Sequence, residues 1–303
     1  MTQNIGRRLD FCKMHGCGND FIMLNGFSQG LPENMNRLAV MLCNRHFGIG
    51  ADGIIVLCPA AGYDFQMRLF QPDGSEAEMC GNGIRCAALF AQAEGICQGP
   101  TMRVLTLAGE IRPQILASEA SEPGFGMVRV NMGRPRLLGA EVPCTLGQGQ
   151  VLDEPVEVDG REFRLSAISM GNPHGVIFLD TAPESFPVGH FGPLLEHHPA
   201  FPARANIEFA QVIDPHTIKM RVWERGVGET LACGTGACAC AVAAILTKRA
   251  ESEVKICLSE GVLRIAWAGQ PEDPVYMTGP AEVSFGGSVN LFGQNHIDKE
   301  AAL

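Results

Sequence analysis

The sequence has no C-x-x-C pair, no Walker-type phosphate loop, no block of lysine and arginine, and few lysines of any kind. Each absence removes a class of function. The spacing of Cys233, Cys238 and Cys240 matches no common zinc or iron–sulfur pattern, so no metal site is expected. The net charge of −10, from 23 basic and 33 acidic residues without a basic stripe, argues against nucleic acid as a partner. No lysine sits in a context that suggests a pyridoxal Schiff base, and no cofactor is expected. The longest uncharged stretch, Thr230 to Thr247, is too short and too rich in Ala, Gly and Cys to span a bilayer. Arg7-Arg8 would open an export signal, but Asp10 and Lys13 fall where such a signal needs an apolar run. The expectation is a cytoplasmic protein with no membrane partner. Its twelve cysteines, spread over a long chain, then read as reduced thiols rather than a disulfide framework.

What is present is enough for a large core: 303 residues, 46% of them hydrophobic, fit one large domain or two ordinary ones. An internal repeat decides between these. Sliding the chain against itself by 153 residues places Gly18-Asn19 on Gly171-Asn172, and Met67-Arg68-Leu69-Phe70 on Met220-Arg221-Val222-Trp223. The same offset places Glu76 on Glu229 and Cys80-Gly81-Asn82-Gly83 on Cys233-Gly234-Thr235-Gly236. A Gly- and Ala-rich chain gives short chance matches, but not a registered series of this kind. Two similar halves follow, with a boundary near Gly133-Arg134-Pro135. The expected domains are residues 1–132, joined by 279–303 at the C-terminus, and residues 133–278.

Short runs of β-type residues bounded by Gly, Pro or Asp predict strands at Phe21–Leu24, Ile54–Leu57, Met67–Phe70, Met102–Leu107, Met127–Val130, Val176–Leu179, Ile218–Trp223, Val254–Leu258 and Val262–Trp267. Helices are expected at Asn36–Cys43, Ile84–Ala93 and Ala237–Lys248. The last has no polar face before Lys248, which argues for burial on all sides. The expected fold is α+β: two pseudo-symmetric domains, each a mostly antiparallel sheet wrapped around a central helix.

Gly48-Ile49-Gly50-Ala51-Asp52-Gly53 fits G-x-G-x-x-G, yet a helix precedes it and a strand follows, the reverse of a dinucleotide site. It reads as a turn. The repeated Cys-Gly-x-Gly before a buried helix differs, because it sets a thiol at a helix N-terminus. There the dipole and free N–H groups are expected to lower the thiol pKa. A lone cysteine is usually inert core, the role expected for Cys12, Cys43, Cys58, Cys97, Cys144 and Cys257. Repetition separates Cys80 and Cys233 from these. Two facing halves would bring both thiols to one cleft, one removing a proton from an α-carbon while the other delivers one to the opposite face. The helix N-termini would hold the substrate carboxylate.

At these residues the chain resembles the diaminopimelate epimerases. The resemblance rests on Lys13 through Phe21, Asp73-Gly74-Ser75-Glu76, Met79 through Cys86, Ser169 through His174, Glu224 through Gly236, and Tyr276-Met277-Thr278-Gly279. It implies PLP-independent conversion of LL- to meso-diaminopimelate, an isomerase reaction of lysine and peptidoglycan precursor synthesis. Carried over by residue, it makes Cys80 and Cys233 the acid–base pair, with His174 and Glu224 assisting. It places Asn19, Asn172, Asn206, Glu224 and Arg225 on the substrate, and the backbone of Gly81-Asn82 and Gly234-Thr235 around the reacting carboxylate. Arg225 would grip the distal carboxylate, and Glu224 would accept from an ammonium. A histidine after a Gly-Asn-Pro turn can equally be structural.

One position departs from the family. Asn is usual two residues before Asp-Gly-Ser-Glu, where the resemblance implies that it helps hold the substrate's far end, and here Gln71 stands there as the expected substrate-binding amide, followed by Pro72. The alternatives are a cofactor-free racemase of proline, hydroxyproline or histidine, or a non-catalytic thiol-redox or binding protein on the same scaffold. The partner expected is a small amino-acid substrate, and a homodimer is left open.

Overall fold

The structure, a computed structural model, describes residues 7–117 and 122–291. The outer ends of the expected first domain, 1–6 and 292–303, lie outside the described residues. Four α-helices are described: α1 (Met35–Cys43), α2 (Gly81–Ala93), α3 (Val188–Glu196) and α4 (Gly234–Leu246). Besides a 3-10 turn at Pro183–Ser185, the rest of the described regular structure is one mixed sheet of 18 strands, an α+β architecture.

The repeat seen in the sequence is also a repeat of strand pairing. Strand Asn19–Asn25 lies parallel to Gly53–Cys58 with Phe21 opposite Gly53. Strand Pro173–Phe178 lies parallel to Asn206–Asp214 with His174 opposite Asn206, the same pair moved by the same offset. Each of these is followed by an antiparallel partner: Ile54 faces Phe70 in one half, and Ile207 faces Trp223 in the other. The repeated acidic residues have a common task. Glu76 binds the Arg68 guanidinium through both oxygens at 2.7 and 2.9 Å, and Glu229 takes Arg221 at 2.6 and 2.7 Å. Each pair ties a short strand to the long strand before the thiol-bearing helix.

α2 and α4 are buried along nearly their whole length and share one continuous apolar cluster. The packing of α4 on all sides follows from its Ala and Cys composition, since small side chains let strands approach from every direction. Both helices begin where expected from the Cys-Gly-x-Gly turns but start three residues earlier, because the glycines themselves are helical. The Gly48–Gly53 segment is a loop between α1 and its following strand: the N–H groups of Ile49 and Gly50 both donate to the Leu42 carbonyl.

Several elements fall outside the sequence-based expectation. α3 contains Gly189, Gly192 and Pro193 yet forms over a phenylalanine cluster of Phe163, Phe186, Phe191 and Phe209. Strand Val151–Val158 carries Pro155 and three acidic residues, which its place beside Arg161–Ser169 at the margin of the sheet tolerates. The long strand Tyr276–Leu291 pairs with Phe125–Asn131 through its first half and with Arg7–Gly16 through most of its length. Cys12, Cys58 and Cys257, expected in the core, are only partly buried, whereas Cys43, Cys97 and Cys144 are buried.

Candidate active site

Cys80 is the N-cap of α2 and Cys233 the N-cap of α4. Each sulfur accepts the backbone N–H three residues on, from Gly83 and Gly236, both at 3.4 Å. The caps face one another. A Cβ built on Gly81 would stand 3.7 Å from the Gly234 Cα, and Met277 lies against both glycines. Between the halves is a cleft of about 930 Å³, lined among others by Asn19, Gln71, Cys80, Gly81, Asn82, Asn172, Glu224, Cys233, Gly234 and Thr235.

The polar groups repeat as well. The Cys80 thiol points its hydrogen at Asn19 Oδ1 at 3.6 Å, and Asn82 Nδ2 donates to that oxygen at 3.1 Å. In the other half, Cys233 Sγ lies 3.4 Å from Thr235 Oγ1, which accepts from Asn172 Nδ2 at 3.3 Å. Asn82 also donates across the cleft to the Ala232 carbonyl at 3.2 Å, and its own Oδ1 is buried without a partner. The repeat sets Glu224 where the first half has Gln71. Glu224 is partly buried, accepts from the Thr230 hydroxyl and reaches the Cys233 thiol, whereas Gln71 is exposed on a rim turn and accepts from Ser75 at 3.3 Å.

The electrostatics correct one expectation. Burial pushes both thiols up, Cys233 the further, rather than leaving them lowered. Glu224 adds to the rise at both sulfurs, and Glu208 adds to it at Cys233. The helix N–H groups pull the other way, as does the Arg85 guanidinium at Cys80, but the loss of water outweighs them. Burial likewise raises the Glu224 carboxyl, against the Thr230 hydrogen bond. A carboxyl so placed beside a protonated thiol is suited to take its proton.

Three expected residues stand apart from the cleft lining. The fully buried His174 meets Asn172 Oδ1 at 3.0 Å through Nε2 and Glu208 at 2.7 Å through Nδ1, so its hydrogen bonds reach no cysteine directly. Asn206 staples the protein to itself, donating to the Pro173 carbonyl at 2.9 Å and accepting from the Arg225 N–H at 3.0 Å. The Arg225 side chain is exposed and donates to the Ala203 carbonyl at 3.2 Å. Glu208 and Arg85, both fully buried, are the residues sequence reasoning missed. Their signal was a charge inside a small or apolar run. Among the described residues, no cluster of His, Cys, Asp or Glu could hold a metal ion, and no helix is long and apolar enough to cross a membrane.

Solved proteins of several activities share this repeated sheet with a central helix in each half, amino-acid racemases and epimerases among them. A hydroxyproline epimerase from Agrobacterium vitis superposes with a TM-score of 0.66 at 16% identity, covering 95% of this chain and 94% of that one. A probable proline racemase from Agrobacterium radiobacter K84 gives 0.65 at 16% identity, covering 93% of each chain. Sequence narrows the class. The profile of the family described as diaminopimelate epimerase matches residues 11–138 and 166–284. The diaminopimelate epimerase of Desulforudis audaxviator is 52% identical over 282 residues, 92% of this chain and 98% of that protein. That of Pelotomaculum thermopropionicum is 50% identical over 281 residues, with the same coverage. The chain belongs to the diaminopimelate epimerase family.

Proposed function

We propose that this chain converts LL-2,6-diaminopimelate to meso-diaminopimelate with Cys80 and Cys233 as opposed acid and base. The observation that carries the reading is the meeting of two thiol-capped helix N-termini across one cleft. One sulfur, as thiolate, takes the α-hydrogen as a proton and becomes a thiol. The electron pair left on the α-carbon spreads into the carboxylate as an enediolate, held by N–H groups at the starts of α2 and α4. The opposite thiol protonates the other face and is left as the thiolate. Exchange with water restores the starting arrangement.

Because burial holds both thiols protonated, the thiolate must be made in the cleft. In this reading Glu224, which is hydrogen-bonded to the Cys233 thiol, would take its proton. Asn19 and Asn172 would orient the substrate's amino and carboxylate groups, with Arg225 and Gln71 toward its far end. In this reading residues 1–132 with 279–303 and residues 133–278 act as the two lobes of the cleft. The product serves lysine and peptidoglycan precursor synthesis. A cytoplasmic location, no nucleic-acid or membrane partner, and a homodimer are compatible with it.

The test is a substrate panel without added cofactor: LL- and meso-diaminopimelate, L-proline, trans-4-hydroxy-L-proline and L-histidine, each scored by chiral chromatography. Interconversion confined to diaminopimelate is expected. Turnover of one of the others with none of diaminopimelate would overturn the substrate assignment.

A further inference from the structure

The two halves differ at one packing position beneath the thiol helices. In the first half, a Cβ on Gly83 would meet Ile55 Cδ1 at 2.8 Å and Phe21 Cζ at 3.6 Å, so the first turn of α2 rests on an apolar pair. The repeat offset turns Phe21 into His174 and Ile55 into Glu208. Glu208 keeps the packing place of Ile55: a Cβ on Gly236 would fall 2.6 Å from its Oε1. Both Glu208 and His174 are fully buried, and Glu208 Oε2 has no partner. The first half shows that an apolar pair fills this place. Setting a carboxyl and an imidazole there instead costs desolvation that packing does not require.

The polar pair leads to a thiol. Glu208 Oε1 meets His174 Nδ1 at 2.7 Å, and His174 Nε2 meets Asn172 Oδ1 at 3.0 Å. Asn172 Nδ2 then donates to Thr235 Oγ1 at 3.3 Å, and Thr235 Oγ1 lies 3.4 Å from Cys233 Sγ. The order of donors along this chain is set by the Asn172 amide. With its NH₂ turned to Thr235, Asn172 offers an acceptor to His174, so Nε2 must carry hydrogen. Glu208 at Nδ1 holds the ring in that orientation.

We propose that Glu208 is a positioning residue for epimerisation: by orienting the His174 ring it fixes the Asn172 amide, and through it the Thr235 hydroxyl, against Cys233. On the Cys80 side Phe21 and Ile55 stand in place of the buried pair, and Asn19 is held instead from the half-open side by Asp52, which accepts from its Nδ2 at 2.8 Å. The inference rests on the two-thiol reading above, and its test is built to fail separately from that reading.

The experiment compares wild type with Glu208→Ile, which copies the first half, and with Glu208→Gln, whose amide can still hold Nδ1. Two quantities are read: kcat on LL-diaminopimelate, and the ratio of iodoacetamide labelling at Cys233 to that at Cys80, by peptide mass mapping without substrate. Glu208→Ile should lower kcat by about ten- to a hundredfold, the scale of a misplaced reacting group. It should also change the labelling ratio by about threefold or more, since thiol reactivity follows its surroundings. Glu208→Gln should recover most of both. Glu208→Ile with kcat and ratio as in wild type overturns the proposal, as does equal loss in the two variants. If Glu208→Ile does not fold, the double variant His174→Phe, Glu208→Ile restores the first half's pair, and an unchanged labelling ratio in it overturns the proposal. Wild type inert on diaminopimelate would instead count against the substrate reading, and the labelling ratio would still judge Glu208.

Discussion

Gly81 and Gly234 touch across the pseudo-two-fold relation of the halves: a Cβ on Gly234 would lie 3.5 Å from the Gly81 Cα, and one on Gly81 would lie 3.7 Å from the Gly234 Cα. Each glycine directly follows a capping cysteine, so this close approach fixes the two sulfurs on either side of one space. Hydrogen-bond donors at both helix starts converge on the same space. The arrangement suits a planar enediolate with a proton donor on each face.

Cys80→Ala and Cys233→Ala should each abolish epimerisation, because inversion fails when either face lacks its acid or base. Loss of a positioned acid or base typically costs ~10²–10⁴-fold. Steady-state rates on LL-diaminopimelate check this, with circular dichroism to show that the fold is kept. A single variant retaining more than about a hundredth of wild-type turnover would contradict the two-base account.

Mild oxidation should inactivate the enzyme by joining Cys80 to Cys233, two electrons passing to the oxidant and two protons to water. The caps already meet, so a modest closing of the cleft should bring the sulfurs into bonding range. Thiol reductant should restore activity. Peptide mapping that traced the lost activity to other cysteines would remove this support for their proximity.

Arg225→Ala should lower kcat/KM for diaminopimelate by tens- to thousands-fold, since truncating one partner of a desolvated ion pair typically costs about 2–5 kcal/mol. Arg225 is exposed on the Ala203 carbonyl, so the expectation carries a condition: its guanidinium must turn to the substrate's distal carboxylate. Unchanged kinetics in this variant would assign Arg225 to the Ala203 contact alone. Gln71→Asn, which shortens the amide to the family's usual length, should be mild or improve turnover.

Stability should fall as pH rises above about 9. Burial pushes Cys86 and Cys238 up to about 12, whereas an unfolded thiol ionises near ~8.5. Between those values the unfolded chain gives up protons that the native state keeps, so the stabilisation is whole below the unfolded value and is lost upward through the window. Each such thiol contributes a slope of about −1.4 kcal/mol per pH unit. Urea unfolding at pH 8, 9, 10 and 11 measures it, and Cys238→Ala should reduce the slope by one thiol's share. A flat profile would contradict the burial of these groups.

Much of the site was legible because it is written twice. The Cys-Gly-x-Gly turns, the Asn residues and the Arg–Glu pairs recur at one offset, and identical local chemistry in two places makes a chance reading untenable. What escaped depended on contacts distant in sequence. Strand Val151–Val158 and helix α3 are held by the Phe163 and Phe186 cluster against their own Pro, Gly and acidic residues. The thiols' direction of shift was missed because the helix-end effect is local, whereas the burial that opposes it comes from the whole fold. Glu208 lies in strand Asn206–Asp214, which the sequence reading did not mark, so its carboxylate had no predicted place. Only the parallel register of His174 on Asn206 brings its carboxylate under α4.

The central claim is proton exchange at one α-carbon between two thiols, and it is tested most directly by running the reaction in deuterated water. Purified protein is incubated with LL-diaminopimelate and no added cofactor, and the products are analysed by chiral separation and mass spectrometry. The account predicts meso product carrying one solvent deuterium at its inverted α-carbon, formed by wild type and by neither Cys80→Ala nor Cys233→Ala. Meso product without deuterium, or formation that persists in either cysteine variant, would contradict it.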